Sequence, residues 1–298
     1  MARNIEGLAV VITGASSGIG RATALALADR GANLVLAARR EEPLREVARA
    51  CEERGVTAFP VPTDITIEGQ VKALADLAAA ELGRVDVWVN TAAVSAFGRF
   101  EDTPSDVFAR VIETNLVAMA HCARAALPHL RESRGLFIPV ASVLGKAAVP
   151  YLSAYNASKF GVVGLAESLR QEWEEEGVLV CTVMPPPTDT PFYEHAANYT
   201  GRTVRPPQPV YDAETVAEAI VDCIRHPRRE VAVGVASNFQ QIAHAVAPRT
   251  YERAAVPYIR RTMFEHDESA PPTEGNVFHP IPEGTHVEGG WKEEPDEE

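Results

Sequence analysis

TGASSGIG, Thr13 to Gly20, is the stretch whose reading decides the fold. It follows the apolar run LAVVI (Leu8 to Ile12) directly and places three glycines in eight residues. An apolar strand that turns sharply into a helix leaves unpaired backbone N–H groups, and the positive end of the helix dipole, at the turn. Those suit a pyrophosphate, and glycines let backbone come close to it. A tight turn without a ligand would use the same residues.

Outward from this turn, strand-like and helix-like runs alternate. Gly7–Thr13, Asn33–Ala38, Thr57–Pro62, Val85–Asn90, Gly135–Ser142, Val178–Pro185 and Glu230–Ala236 read as strands. Arg21–Arg30, Pro43–Gly55, Val71–Leu82, Ser105–Leu130, Ala154–Glu176 and Asp212–Arg225 carry helical spacing. Strands apolar on both faces, separated by helices, predict an α/β protein: a doubly wound parallel sheet with helices on both faces. Ligands in such sheets sit beyond the carboxyl ends of the strands, near the topological switch point. One domain is expected over residues 1–236, with a proline- and aromatic-rich lid at about 186–211. A helical extension over 237–264 follows, then an acidic, Pro/Gly-rich extended tail over 265–298.

The chain has 298 residues, 46% of them hydrophobic, enough for a sizeable core. Its formal net charge is −13, but Glu265 to Glu298 holds eleven acidic residues against one lysine, so the body carries only about −3. That balance argues against a nucleic-acid-binding body. The tail should be extended, without regular structure, and tethered mainly at Phe278 in the apolar island around Val277 and Ile281. The four cysteines are scattered, no pair has metal-ligand spacing and no HExxH occurs, so no metal is expected. With no stretch of signal-peptide length at the start, a cytoplasmic protein with reduced thiols is expected.

Three further features stand downstream of the turn in order. They are Asn115 in ETNL, Ser142 at the end of a strand, and Tyr155-Asn156-Ala157-Ser158-Lys159 thirteen residues beyond Ser142. With TGASSGIG these resemble the signatures of the short-chain dehydrogenase/reductase family, over roughly residues 5–236. The resemblance implies a Rossmann-type fold and an NADP(H)- or NAD(H)-dependent enzyme interconverting a carbonyl and a secondary alcohol by hydride transfer. It implies Tyr155 as the acid/base, Lys159 lowering the tyrosine pKa and holding the nicotinamide ribose, and Ser142 binding the substrate oxygen. Asn115 would hold a water linking Lys159 to solvent. Spacing alone places Tyr155 and Lys159 on one helix face. A phenol with a reference pKa of about 10 needs a neighbouring positive charge to act as a base.

For the cofactor, the turn residues Gly14, Ser16, Ser17, Gly18, Ile19 and Gly20 are expected to bind, with Asp64 and Ile65 after the third strand and Asn90 after the fourth. Pro185, Thr188 and Thr190 match the family's nicotinamide side, alongside Tyr155 and Lys159. Asp64 could equally cap a helix. The second strand ends in Ala38-Arg39-Arg40, and an arginine fork matches a 2′-phosphate, so NADP(H) is the expected cofactor. Two arginines on a solvated turn would look the same. The chain departs from the family at Thr91-Ala92-Ala93 and at Pro186, which puts the shape of the nicotinamide end in question.

Phe97, Val143 and Leu144, with the lid aromatics Phe192, Tyr193 and Tyr199, suit an apolar or ring-bearing carbonyl or alcohol substrate. His195 could serve as an acid, but the tyrosine already fills that role. The resemblance implies a homodimer through the two long helices, Ser105–Leu130 and Ala154–Glu176, and membrane association is not expected. The alternative reading is a catalytically weak cofactor-binding sensor or scaffold, resting on the two departures.

Overall fold

All five residues of AVVIT are buried as β1 (Ala9–Thr13), which lies inside the central sheet. The computed structural model describes residues 3–292. After β1 come α1 (Gly18–Ala28), β2 (Asn33–Ala38), α2 (Glu41–Glu52), β3 (Ala58–Pro62), α3 (Glu68–Leu82) and β4 (Val87–Asn90). Next are β5 (Ala96–Phe97), α4 (Ser105–Ile112), a π-turn at Glu113–Val117, α5 (Ala118–Ser133), β6 (Leu136–Pro139) and α6 (Ser153–Trp173). Then follow β7 (Leu179–Val180), β8 (Thr182–Met184), β9 (Thr188–Asp189), α7 (Phe192–His195), β10 (Ala197–Asn198), β11 (Arg202–Val204) and β12 (Tyr211–Asp212). The last elements are α8 (Ala213–Arg225), β13 (Glu230–Ala232), α9 (Val235–Val246), α10 (Pro248–Thr262) and β14 (Phe264–Ser269).

The central sheet is parallel, in the order β3-β2-β1-β4-β6-β7. The chain winds outward one way through β2 and β3, then the other way through β4 and β6. The switch point therefore lies between β1 and β4, at the turn that TGASSGIG forms. The expected sixth strand is two pieces: β7 pairs with β6, and β8 pairs with β13. Alternating side chains feed two apolar layers. Val10, Ile12, Leu34 and Leu36 pack in one, and Val11, Val35, Trp88 and Phe137 in the other. Burying each large side chain is worth about 1.5–3 kcal/mol, so these layers fix the register of the strands.

α2 starts two residues ahead of Pro43, in the Glu41-Glu42 pair, whose charges suit the positive helix end. Pro43 is tolerated there because first-turn N–H groups have no intrahelical partner. The single helix expected over 105–130 is broken at Glu113–Val117. Thr114, Asn115 and Val117 are weak helix formers, and the Asn115 amide is fixed to Val94 instead.

The segment 186–211 is pinned by short pairings: β9 with β12, β10 with β5, and β11 with β14. α9 and α10 pack on each other, and α9 turns Val235, Phe239, Ile242 and Val246 outward. The tail differs from expectation. It opens as β14 rather than as coil, then runs as irregular chain to residue 292. The end of the expected tail, residues 293–298, and the side chains of 265–268 lie outside the described residues. Among those described, no helix is long and apolar enough to cross a membrane.

Candidate active site

Each glycine of the turn has its own job. Gly14 (φ 79°) and Gly18 (φ 52°) adopt left-handed backbone, which favours glycine. A Cβ on Gly20 would sit 2.1 Å from the Gly14 carbonyl oxygen and 2.6 Å from Thr91 Oγ1. A Cβ on Gly14 would lie 2.7 Å from the Ala92 nitrogen. These two glycines let the turn seat against the segment after β4, where Thr91 Oγ1 donates to the Thr13 carbonyl at 2.6 Å. Gly18 faces Thr190, whose Cβ would be 3.1 Å from an added methyl. The expectation that the glycines serve phosphate approach is thus only part of the account, because two of them are already required by packing.

A cavity of about 680 Å³ runs past this turn. One end is lined by Arg39, Arg40, Asp64 and Ile65, the middle by Gly14, Ser16, Ser17, Gly18, Ile19 and Gly20, and the other end by Ser142, Tyr155, Lys159, Pro185, Thr188 and Thr190. Cationic side chains, a helix N-terminus and an apolar far end form a donor set that fits an elongated anionic dinucleotide. Thr91, Ala92, Ala93 and Pro186 also line it, so both departures from the family pattern lie in its wall.

At the far end, β6 delivers Ser142 and α6 delivers Tyr155 and Lys159 on one face. All three are nearly or fully buried. Lys159 Nζ lies 5.5 Å from the centre of the Tyr155 ring and donates to the Val140 carbonyl at 2.9 Å. Ser142 Oγ accepts from the Leu144 N–H at 3.1 Å. Burial pushes the Tyr155 phenol up to about 12, and the Ser142 hydroxyl draws it back down. Burial also pulls Lys159 down to about 7. In this apolar setting desolvation is the largest cause of both shifts.

Two expected site residues do not line the cavity. Asn90 is buried, accepts from Thr13 Oγ1 at 2.6 Å and directs its amide hydrogens toward Met119 Sδ, so it ties β1 to β4 and α5. Asn115 accepts from the Val94 N–H at 2.8 Å, and donates to the Val94 carbonyl at 2.9 Å and to Ser158 Oγ at 3.0 Å. Both of its amide hydrogens are used, so its side chain braces Val94 and Ser158 behind the site. Ser158 is the middle link, donating to the Tyr155 carbonyl at 2.7 Å.

At the opposite end, the Asp64 carboxylate accepts from the Thr66 N–H and hydroxyl in a turn ahead of α3, whose N-cap is Ile67, so it does not cap the helix, and it lines the cavity. Burial lowers the Arg39 pKa; Asp64 raises it and Arg110 lowers it. Arg110, on α4, is a third cation of this end that sequence reasoning missed, and its guanidinium lies 5.5 Å from the centre of the Phe278 ring. The tail was missed as well. Arg39 donates to the Asn276 carbonyl at 2.8 Å, and Arg40 to those of Glu283 and Ile281 at 2.7 and 3.0 Å. The tail is therefore held at many points, not mainly at Phe278. The cue available in the sequence was the apolar island around Val277.

The substrate end is apolar. Phe97, Val143, Leu144, Phe192 and Tyr193 line it as expected, joined by Phe239, Tyr251, Tyr258 and Met263 of the helical extension. The Tyr155 and Phe192 rings meet edge to face, 5.5 Å between centres. Tyr199 instead packs beside Phe278, away from the cavity. His195 is buried and its Nε2 bonds the Glu283 carbonyl at 3.1 Å, so Nε2 carries the proton. That contact commits the ring to the tail.

A family model described as short chain dehydrogenase matches residues 8–199. The chain is 35% identical over 286 residues to the uncharacterized oxidoreductase YxnA of Bacillus subtilis, covering 93% of this chain and 79% of that one. It is 38% identical over 215 residues to cis-4-hydroxycyclohexanecarboxylate dehydrogenase of Sinomonas cyclohexanicum, covering 70% and 86%. A short chain dehydrogenase from Burkholderia cenocepacia J2315, solved in complex with NADP, superposes with a TM-score of 0.72 at 25% identity, covering 83% of this chain and 97% of that one.

Proposed function

The chain belongs to the short chain dehydrogenase family and is an oxidoreductase, and from that premise we propose that it interconverts a carbonyl and a secondary alcohol with NADP(H). The observation that carries this reading is one cavity with Ser142, Tyr155 and Lys159 at one end and Arg39 and Arg40 at the other. When bound, the nicotinamide cofactor supplies or accepts the hydride. Arg39 and Arg40 would hold the 2′-phosphate, and the amides opening α1 the pyrophosphate.

Ser142 would donate a hydrogen bond to the substrate oxygen, strongest as negative charge gathers there. Tyr155 would give its proton to that oxygen during reduction and take it back during oxidation. Its phenol, pushed up by burial, is protonated at neutral pH, and a neighbouring positive charge would be needed to bring its pKa back toward the working range. Lys159 would hold the ribose and share its positive charge with the tyrosine, while Ser158 and Asn115 brace the tyrosine's helix turn.

The apolar walls favour a ring-bearing or aliphatic substrate with few charges, and the similarity to a hydroxycyclohexane acid dehydrogenase supports a cyclic one. The exposed Val117 and Phe160, on the two long helical runs, support a homodimer through those faces. The deciding experiment follows NADPH and NADH oxidation at 340 nm against a panel of ketones and quinones. Turnover with NADPH on apolar cyclic ketones is expected. Cofactor binding without turnover across the panel would favour a sensor or scaffold.

A further inference from the structure

The tail lines the arginine end of the cavity with Asn276, Val277, Phe278, Pro280 and Ile281, then continues over the turn and the lid. Its backbone accepts from Arg39 and Arg40 at one end, and the Thr285 and His286 carbonyls accept from Arg21 and from the Gly18 N–H, at 2.7 and 3.0 Å, at the turn. Further on, the Gly289 and Trp291 N–H groups donate to Asp189 at 2.8 and 3.0 Å, and the Trp291 indole donates to the Thr190 carbonyl at 3.1 Å. Lys292 pairs with Asp212.

Three glycines let it lie flat on the lid. A Cβ on Gly275 would come 2.3 Å from the His195 carbonyl oxygen, on Gly284 2.3 Å from His195 Nε2, and on Gly289 2.4 Å from the Thr190 carbonyl oxygen. The Gly275 and Gly289 contacts are to backbone and the Gly284 contact is to the buried His195 ring, so a Cβ at any of the three would force a shift. The Trp291 ring meets Tyr193, 6.1 Å between centres. Lid and tail are thus packed on each other at His195, Tyr193 and Thr190.

We propose that residues 273–292 are a cofactor-retaining strap: the tail closes over a bound nicotinamide cofactor, forms the outer wall of its adenosine end, and must lift together with the lid for exchange. This rests on the cofactor reading above. At the turn the strap takes the Gly18 N–H, which a bound pyrophosphate would have to win from the His286 carbonyl; two other observations favour retention over blockade. The tail leaves the cavity of about 680 Å³ beneath it, with Asn276, Val277 and Phe278 as wall rather than filling. It also meets Arg39 and Arg40 through backbone carbonyls, although Glu274, Glu283 and Glu288 are at hand and point to solvent. A carboxylate would compete with a phosphate for the guanidinium, whereas a neutral carbonyl takes some of its N–H groups and leaves the charge in place.

The test uses full-length protein loaded with NADPH and measures its release, by nicotinamide fluorescence, after mixing with excess NADP+. Gly284→Val wedges the strap off His195. Trp291→Ala adds no bulk and removes the anchor at Thr190 and Tyr193, so it covers the case in which the valine variant does not fold. Release about tenfold faster in the folded variants, equivalent to one or two lost contacts, is expected. NADPH should also slow proteolytic cleavage of the tail in the unaltered protein. Release rates within about twofold of the unaltered protein, or tighter binding in the variants, would overturn the strap while leaving the cofactor reading intact. Failure of the unaltered chain to bind NADPH or NADH would overturn both.

Discussion

Arg39 Nη2 donates to the carbonyl oxygen of Asn276 at 2.8 Å, joining the end of β2 to a residue 237 positions further along the chain. The arginine that the sequence offers for a 2′-phosphate is thereby also part of what holds the tail in place. Its removal should act on the two cofactors unequally. Arg39→Ala should weaken NADPH about ten- to a hundredfold, the loss expected for a charged hydrogen-bonded pair. NADH should lose only the part that comes from loosening the tail. Fluorescence titration of both cofactors checks this. Equal losses for the two would assign Arg39 to the tail alone, and equal affinities in the unaltered protein would remove the NADP(H) preference.

Lys159 should leave its mark on stability. Burial lowers its pKa to about 7 from an ordinary 10.5. Between those values the unfolded chain binds a proton that the folded chain does not, so stability rises with pH across that window. The contribution is lost as pH falls through about 7. Tyr155 acts in the opposite sense only at the top of the range, because its folded value near 12 lowers stability above about pH 10. Without cofactor, the melting temperature should therefore climb from pH 6.5 to 9. Lys159→Met should flatten the climb and raise stability at pH 7 by about 2–5 kcal/mol. A flat profile in the unaltered protein would show that the ammonium stays charged in the fold.

The two asparagines should separate bracing from binding. Asn115→Ala deletes three hydrogen bonds and leaves buried Val94 groups unpaired, at a cost of about 2–4 kcal/mol. Asn90→Ala removes the partner of Thr13 Oγ1 and should also destabilise, while leaving NADPH affinity within about twofold. Urea unfolding and cofactor titration measure the two effects. A large loss of affinity in Asn90→Ala with unchanged stability would return that residue to the cofactor site.

What the sequence made legible was whatever depends on local spacing. Tyr155 and Lys159 are one helical turn apart, Ser142 follows a strand by three residues, and TGASSGIG joins strand to helix, so their placement in one cleft followed once the order of elements was read. Arg110 was not legible, because which face of α4 meets the cleft is decided by packing across the π-turn that follows it. The packing role of Gly14 and Gly20 depends on Thr91, and that of Gly284 on His195, partners remote in sequence. The course of the tail was hidden for another reason. It has no hydrophobic period, and it is held through backbone carbonyls and N–H groups, which every residue type carries.

Tyr155 carries the chemical assignment, and Tyr155→Phe isolates it. The substitution keeps the ring that packs edge to face on Phe192 and deletes one hydroxyl. Because that hydroxyl lies in a buried site and is held protonated, its loss removes the proton that the substrate oxygen needs as hydride arrives. General acid catalysis contributes about 10²–10⁴-fold, so the turnover number should fall by that order. NADPH affinity should stay within about threefold, since Lys159 remains bonded to Val140. Ser142→Ala should give a smaller fall of about 10–10³-fold, as one donor to the developing charge is lost. Single-turnover reduction by bound NADPH separates the chemical step from binding. If the phenylalanine variant reduces its ketone at close to the original rate while the alanine variant does not, the proton comes from elsewhere, and Ser142 rather than Tyr155 is the residue the reaction depends on.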